Sequence, residues 1–160
     1  MSDAKRPTYE LHPIGAVERA ETKTLLRIDE QYRDGLQGLE DFSHAQVLWW
    51  FDRYDDKEHR GHTIAHPPFE APPLGVFAVK SPMRPNPIAL TIVKIIAVDR
   101  AAGTIEIARI DAFDGTPVLD IKGYMPAVDR VANARVPEWA AGWPDAMPDE
   151  GLALDRMPGE

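Results

Sequence analysis

Apolar residues along this chain come in short segments, alternating or continuous, separated by glycine, proline and charged clusters. Residues 11–17 and 24–28 read as two short strands joined by a charged turn. Residues 31–38 have a helical pattern that Gly35 and Gly38 limit to a turn or two. The run 46–51 holds Val47, Leu48, Trp49, Trp50 and Phe51. It suits a strand buried on both faces, or one whose outer face meets a second subunit. Residues 76–79 and 88–96 flank a proline-rich loop in the manner of strands, the second extending to Val98 as the longest. Residues 101–103 turn the chain into a hairpin partner at 104–110, and Asp114-Gly115 marks a tight turn before a strand at 117–121. Many short strands with little helix predict a mostly antiparallel β domain, either a small barrel or a curled sheet.

Two stretches break this pattern. Residues 52–74 form a long polar connection with His59, His62, His66 and four prolines, which points to a lid or a mobile loop. Residues 75–90 are organised around Pro82, Pro85 and Pro87, each fixing its own φ and extending its predecessor. Ser81, Arg84 and Asn86 are thereby held extended beside Lys80. A stiff loop of that kind loses little entropy on binding. It projects an ammonium, a hydroxyl, a guanidinium and an amide, and it reads equally as a rigid surface turn. Residues 1–10 are expected to be a flexible arm, 11–144 a single domain and 145–160 an acidic, disordered tail, with Trp139 and Trp143 packed onto the body.

At 160 residues the chain suits one domain with a core. It has no cysteine, no apolar run of about 20 residues and no apolar N-terminal signal region, so a cytoplasmic location is expected. Net charge is −8. Residues 75–124 carry +1, while 1–74 carry −5 and 125–160 carry −4. Any contact with RNA phosphates must then use a local basic patch.

Four segments together resemble the TsaA/TrmO family of S-adenosylmethionine-dependent tRNA methyltransferases. They are Pro13-Ile14-Gly15; residues 35–44 with 47–51; Ser81-Pro82-Met83-Arg84-Pro85-Asn86-Pro87-Ile88; and residues 111–122, Asp-Ala-Phe-Asp-Gly-Thr-Pro-Val-Leu-Asp-Ile-Lys. The resemblance implies a β-barrel methyltransferase, a homodimer with the cofactor near the subunit boundary, and tRNA as partner. The acceptor it implies is the exocyclic nitrogen of threonylcarbamoyladenosine beside the anticodon. The family's S-adenosylmethionine contacts fall on Asp52, Arg53, Lys80, Leu90, Ala108, Arg109, Ile110 and Asp111. Ser81, Arg84, Asn86 and Lys122 are candidates for the substrate side, and Asp120 or Tyr124 for deprotonating the acceptor.

Several positions depart from the family pattern. Asp52 replaces a usual His, Lys80 a usual Arg, Ala89 a usual Gly and Gly123 a usual Pro. Lys80 keeps the charge but loses the bidentate fork. The family's Pro-Arg-Gln-like loop after the first strand and the C-terminal extension of some tRNA-acting relatives have no counterpart here. The alternatives are a methyltransferase on a small molecule or another RNA, and a non-catalytic S-adenosylmethionine-binding sensor. Arg84 and Asp120 read also as a bracing ion pair, and His44 as a structural histidine. His59, His62 and His66 have ligand spacing but no cysteine partners, and no metal is expected. Ser81, His44 and Asp120 supply the residue types of a hydrolase triad without a nucleophile elbow.

Overall fold

A computed structural model describes residues 7–149. Six strands close into an antiparallel barrel in the order β1-β2-β7-β6-β3-β8, which leaves no free sheet edge. They are β1 (Gly15–Arg19), β2 (Thr24–Ile28), β3 (His44–Trp50), β6 (Ile88–Asp99), β7 (Thr104–Ile107) and β8 (Pro117–Gly123). Two-residue strands β4 (Ile64–Ala65) and β5 (Leu74–Gly75) pair outside it. The helices are one-turn pieces, α1 (Lys57–Arg60) and α2 (Pro126–Asp129), beside short 3-10 turns.

Alternation decides what faces inward. Val17, Leu26, Ile28, Val47, Trp49, Val93, Ile105, Ile107 and Val118 form the barrel core. Each such side chain contributes about 1.5–3 kcal/mol when fully buried. The 3-10 turns between β2 and β3 insert Leu36 and Leu39 into the same core. At Gly15 the neighbouring strand passes so close that a Cβ would stand 2.0 Å from the Arg27 carbonyl oxygen. Bulges lie in β6 at Ile95–Ala97 and in β8 opposite Leu48–Trp49. Such bulges bend strands enough to help close a small barrel.

Four expectations need correction. The first strand starts at Gly15, not at residue 11. Residues 76–78 form a 3-10 turn rather than a strand; the Val76 N–H bonds to the Thr63 carbonyl and Val76 is buried. The hairpin partner of β6 ends at Ile107, three residues early. Of the two readings of the third strand, burial on both faces is not met within one chain: Ala45, Val47 and Trp49 are inside, and Gln46, Leu48 and Trp50 are half-buried outside. Of the arm at 1–10, residues 7–10 are exposed coil and the rest lies outside the described residues. Of the tail at 145–160, residues 145–149 are described, and Asp149 pairs with Lys94; 150–160 lie outside the described residues. Trp139 and Trp143 pack on Phe69 of the long connection, ring centroids 5.4 and 5.1 Å away. No described helix is long and apolar enough to cross a membrane.

Candidate functional site

Because the strands are antiparallel, the connections fall at two ends of the barrel. The β1–β2 turn, the long connection from β3 to β6, and the crossing from β7 to β8 share one end. That end therefore carries Asp52, Arg53, Lys80, Ser81, Arg84, Asn86 and residues 108–111.

The proline loop is braced from within. The Arg84 guanidinium donates to the carbonyls of Val79 (3.0 Å) and Ser81 (3.4 Å). Arg60 of α1 donates to the Pro85 carbonyl (2.9 Å), the Asn86 side-chain oxygen (3.3 Å) and Asp55 (2.9 Å). The Phe51 N–H donates to the Pro87 carbonyl at 2.8 Å, fastening the loop to the end of β3. Arg84 thus braces the loop through backbone carbonyls and not through Asp120, whose carboxylate pairs with Lys122. Lys80 is exposed and Ser81 half-buried.

The crossing from β7 to β8 belongs to no strand, yet its burial alternates. Ile110 and Ala112 are buried, while Arg109, Asp111 and Phe113 are exposed. Arg19, at the end of β1, reaches across it. Its guanidinium donates to the carbonyls of Ile110 (2.6 Å) and Ala112 (2.6 and 2.9 Å). Its backbone N–H donates to Asp114 at 2.8 Å. The Arg53 guanidinium stacks on the exposed Phe113 ring of the same crossing. Arg53 is thereby brought to Phe113, two residues along the crossing from Asp111. Arg19 and Phe113 were not singled out from the sequence. Phe113 lies inside a recognised motif, whereas nothing local signals Arg19.

Other candidates stand elsewhere. Leu90 is on the outer wall, 42% exposed, opposite Leu48; on the other side of Leu48 lies Asp120. The Ala108 N–H bonds to the Lys94 carbonyl, four residues along β6 from Leu90 or about 13 Å of strand. Lys122 and Tyr124 lie toward the other end of β8, where the Tyr124 N–H bonds to the His44 carbonyl. The His44 ring is within 2.9 Å of the Ser43 hydroxyl, so Ser81, His44 and Asp120 do not assemble as a triad. At that second end a cavity of about 590 Å³ is lined by Tyr32, Leu36, Leu39, Phe42, Asp120 and Ile121, among others. Asp120 is the one candidate residue in its wall.

Electrostatics are local. Asp56 caps α1, accepting from the Glu58 and His59 N–H groups, and its carboxyl is held below the ordinary value chiefly by the His59 backbone N–H, then by the His59 ring. The His59 and His62 rings stack at 6.3 Å. Among the described residues no three His, Cys, Asp or Glu side chains are grouped as a metal would require. On β1–β2, Glu18 is lowered and Arg27 raised mainly by their mutual hydrogen bond.

The family model of the tRNA-methyltransferase O N-terminal domain matches residues 7–130. A probable S-adenosyl-L-methionine-binding protein of Methanocaldococcus jannaschii is 42% identical over 123 residues, covering 76% of this chain and 96% of that one. The human tRNA (adenine(37)-N6)-methyltransferase is 36% identical over 139 residues, covering 84% of this chain but 30% of its own length. The crystal structure of TrmO from Pseudomonas aeruginosa superposes with a TM-score of 0.62 at 30% identity, covering 81% of this chain and 62% of that one. The chain thus spans under two thirds of the solved relative and under one third of the human one. With a shared barrel and a match across most of its length, the chain belongs to the TrmO family through that family's N-terminal domain.

Proposed function

We propose that the chain is an S-adenosylmethionine-dependent methyltransferase acting on tRNA in the cytoplasm. The acceptor is the exocyclic nitrogen of threonylcarbamoyladenosine beside the anticodon. The observation that carries this reading is the family match over residues 7–130, whose candidate contacts largely share one barrel end.

The donor set there suits the cofactor. Asp111 offers an exposed carboxylate for ribose hydroxyls, Phe113 a half-exposed ring for a flat base, and Lys80 a cation for an amino-acid carboxylate. When bound, S-adenosylmethionine supplies an electrophilic methyl group on sulfur. The chain's own work is to orient, to exclude water and to hold the acceptor in line. Arg53 and Arg109, on connections at the same barrel end, are the cations offered to RNA phosphates. Arg84 and Asn86, already engaged, keep the loop rigid.

Leu90 joins this site from a second copy of the chain. The outer wall carries Leu48, Trp50, Ile88, Leu90 and Ile92, of which Ile88 is 38% exposed and Leu90 42%. An apolar wall of this kind fits a homodimer interface. Of the two candidates for deprotonating the acceptor, we favour Asp120, which lies beside Leu48 on this wall, over Tyr124, which lies beyond the far end of β8. A binding-only sensor remains the second reading, favoured by the name of the Methanocaldococcus relative, which claims binding alone.

Calorimetry with S-adenosylmethionine followed by turnover on bulk tRNA separates these readings. The enzyme is expected to bind and to yield a methylated nucleoside by mass spectrometry. Binding without turnover favours the sensor, and no binding ends both.

A further inference from the structure

We infer that Arg19 is a positioning residue for the cofactor site, acting as a substitute strand that holds the β7–β8 crossing in register; the inference rests on the reading above. The paired strands end at Ile107 and resume at Pro117; Ala108 still bonds to Lys94 of β6, and Gly115 and Thr116 to Val17 of β1, so the stretch around Ile110 and Ala112 lies between the two ladders. Ile110 and Ala112 are 2% and 3% exposed, and buried carbonyls without donors cost folding free energy. A single guanidinium meets both carbonyls, at 2.6 Å to Ile110 and 2.6 and 2.9 Å to Ala112.

The geometry explains why arginine and not lysine ends β1. One terminal guanidinium nitrogen meets both carbonyls while Nε adds a second bond to Ala112, whereas a lysine ends one bond shorter and has no second nitrogen. The Arg19 main chain adds a fourth bond, to Asp114, and the neighbouring ladder closes through Val17 N–H to Thr116 O (2.9 Å) and Gly115 N–H to Val17 O (2.8 Å). The exposed face of the crossing is what this clamp leaves for a ligand. With Ile110 and Ala112 pulled inward, Asp111 and Phe113 face outward, and Phe113 meets Arg53. Arg19 therefore touches no ligand itself; it fixes the two residues that do. Preorganisation of this type strengthens binding by sparing the ordering entropy of a loop.

The test uses the full chain and its Arg19→Met and Arg19→Lys variants, with calorimetry for S-adenosylmethionine. Hydrogen exchange is read on peptides covering 108–116 without cofactor. Arg19→Met is expected to weaken binding about tenfold. Arg19→Lys should recover only part of that, because the ammonium ends one bond short of the terminal guanidinium nitrogen and lacks the Nε donor to Ala112. kcat at saturating cofactor should stay within about twofold, because transition-state contacts are untouched. Exchange should rise at 108–116 and stay unchanged in β3 and β6. Wild-type binding with undiminished affinity in Arg19→Met overturns this inference alone. Full recovery by Arg19→Lys, or faster exchange throughout the barrel, also overturns it. A wild-type chain that does not bind S-adenosylmethionine overturns the cofactor reading and this inference together.

Discussion

The Arg53 guanidinium lies 3.7 Å from the centroid of the Phe113 ring, joining the end of β3 to the crossing that precedes β8. Phe113 keeps 50% of its surface exposed. An exposed cation–π pair is worth about 0.5–1 kcal/mol. A double-mutant cycle with Arg53→Ala and Phe113→Ala should return that coupling in cofactor affinity. Additive losses would show that the two residues act separately.

Gly15 carries no side chain because the chain opposite leaves no room, a Cβ standing 2.0 Å from a backbone oxygen. Gly15→Ala is expected to destabilise by at least the ~1–3 kcal/mol typical of overpacking. Urea unfolding measures this, and a shift below ~0.5 kcal/mol would contradict the close approach.

Arg60 links α1 to the proline loop, and Asp56 holds α1 together. The Asp56 carboxyl is lowered on folding, mainly by the His59 N–H. Its contribution is therefore present above the ordinary aspartate value and lost as pH falls through the lowered one. Amide exchange at Glu58 and His59 should accelerate only in that acid range. In Asp56→Ala it should be fast already at neutral pH. Arg60→Ala should increase protease cleavage within 57–87 several-fold while the barrel stays intact.

The outer wall around Leu90 gives a prediction about assembly. Leu90→Arg places a charge among Leu48, Ile88 and Ile92, and should convert the proposed dimer to monomer in sedimentation velocity. Cofactor affinity should fall with it. A wild-type monomer that binds fully would remove the second copy from the site.

Strand alternation was legible where one face meets the core. Residues 24–28 appear as β2 with the boundaries that the pattern predicts. The 76–79 run failed because Val76 is buried by the long connection and not by the sheet, and apolar content alone does not distinguish the two. Pro13 and Leu11 are exposed, so the first strand waits for Gly15, where pairing with Ile28 begins. The site divided in the same way. Motif residues on connections could be placed on one end once the strands were ordered. Arg19 could not, because its carbonyl partners are 91 and 93 residues distant and meet it only when the barrel closes.

Phe69, Trp139 and Trp143 form a three-ring knot, with the two indoles 5.6 Å apart. Its position makes the stretch beyond β8 a buttress for the loop ahead of Ser81, not an idle appendage. Trimming the chain before Trp139 would therefore slacken a region 70 residues upstream, and a fused neighbour at that end would tug on the same knot.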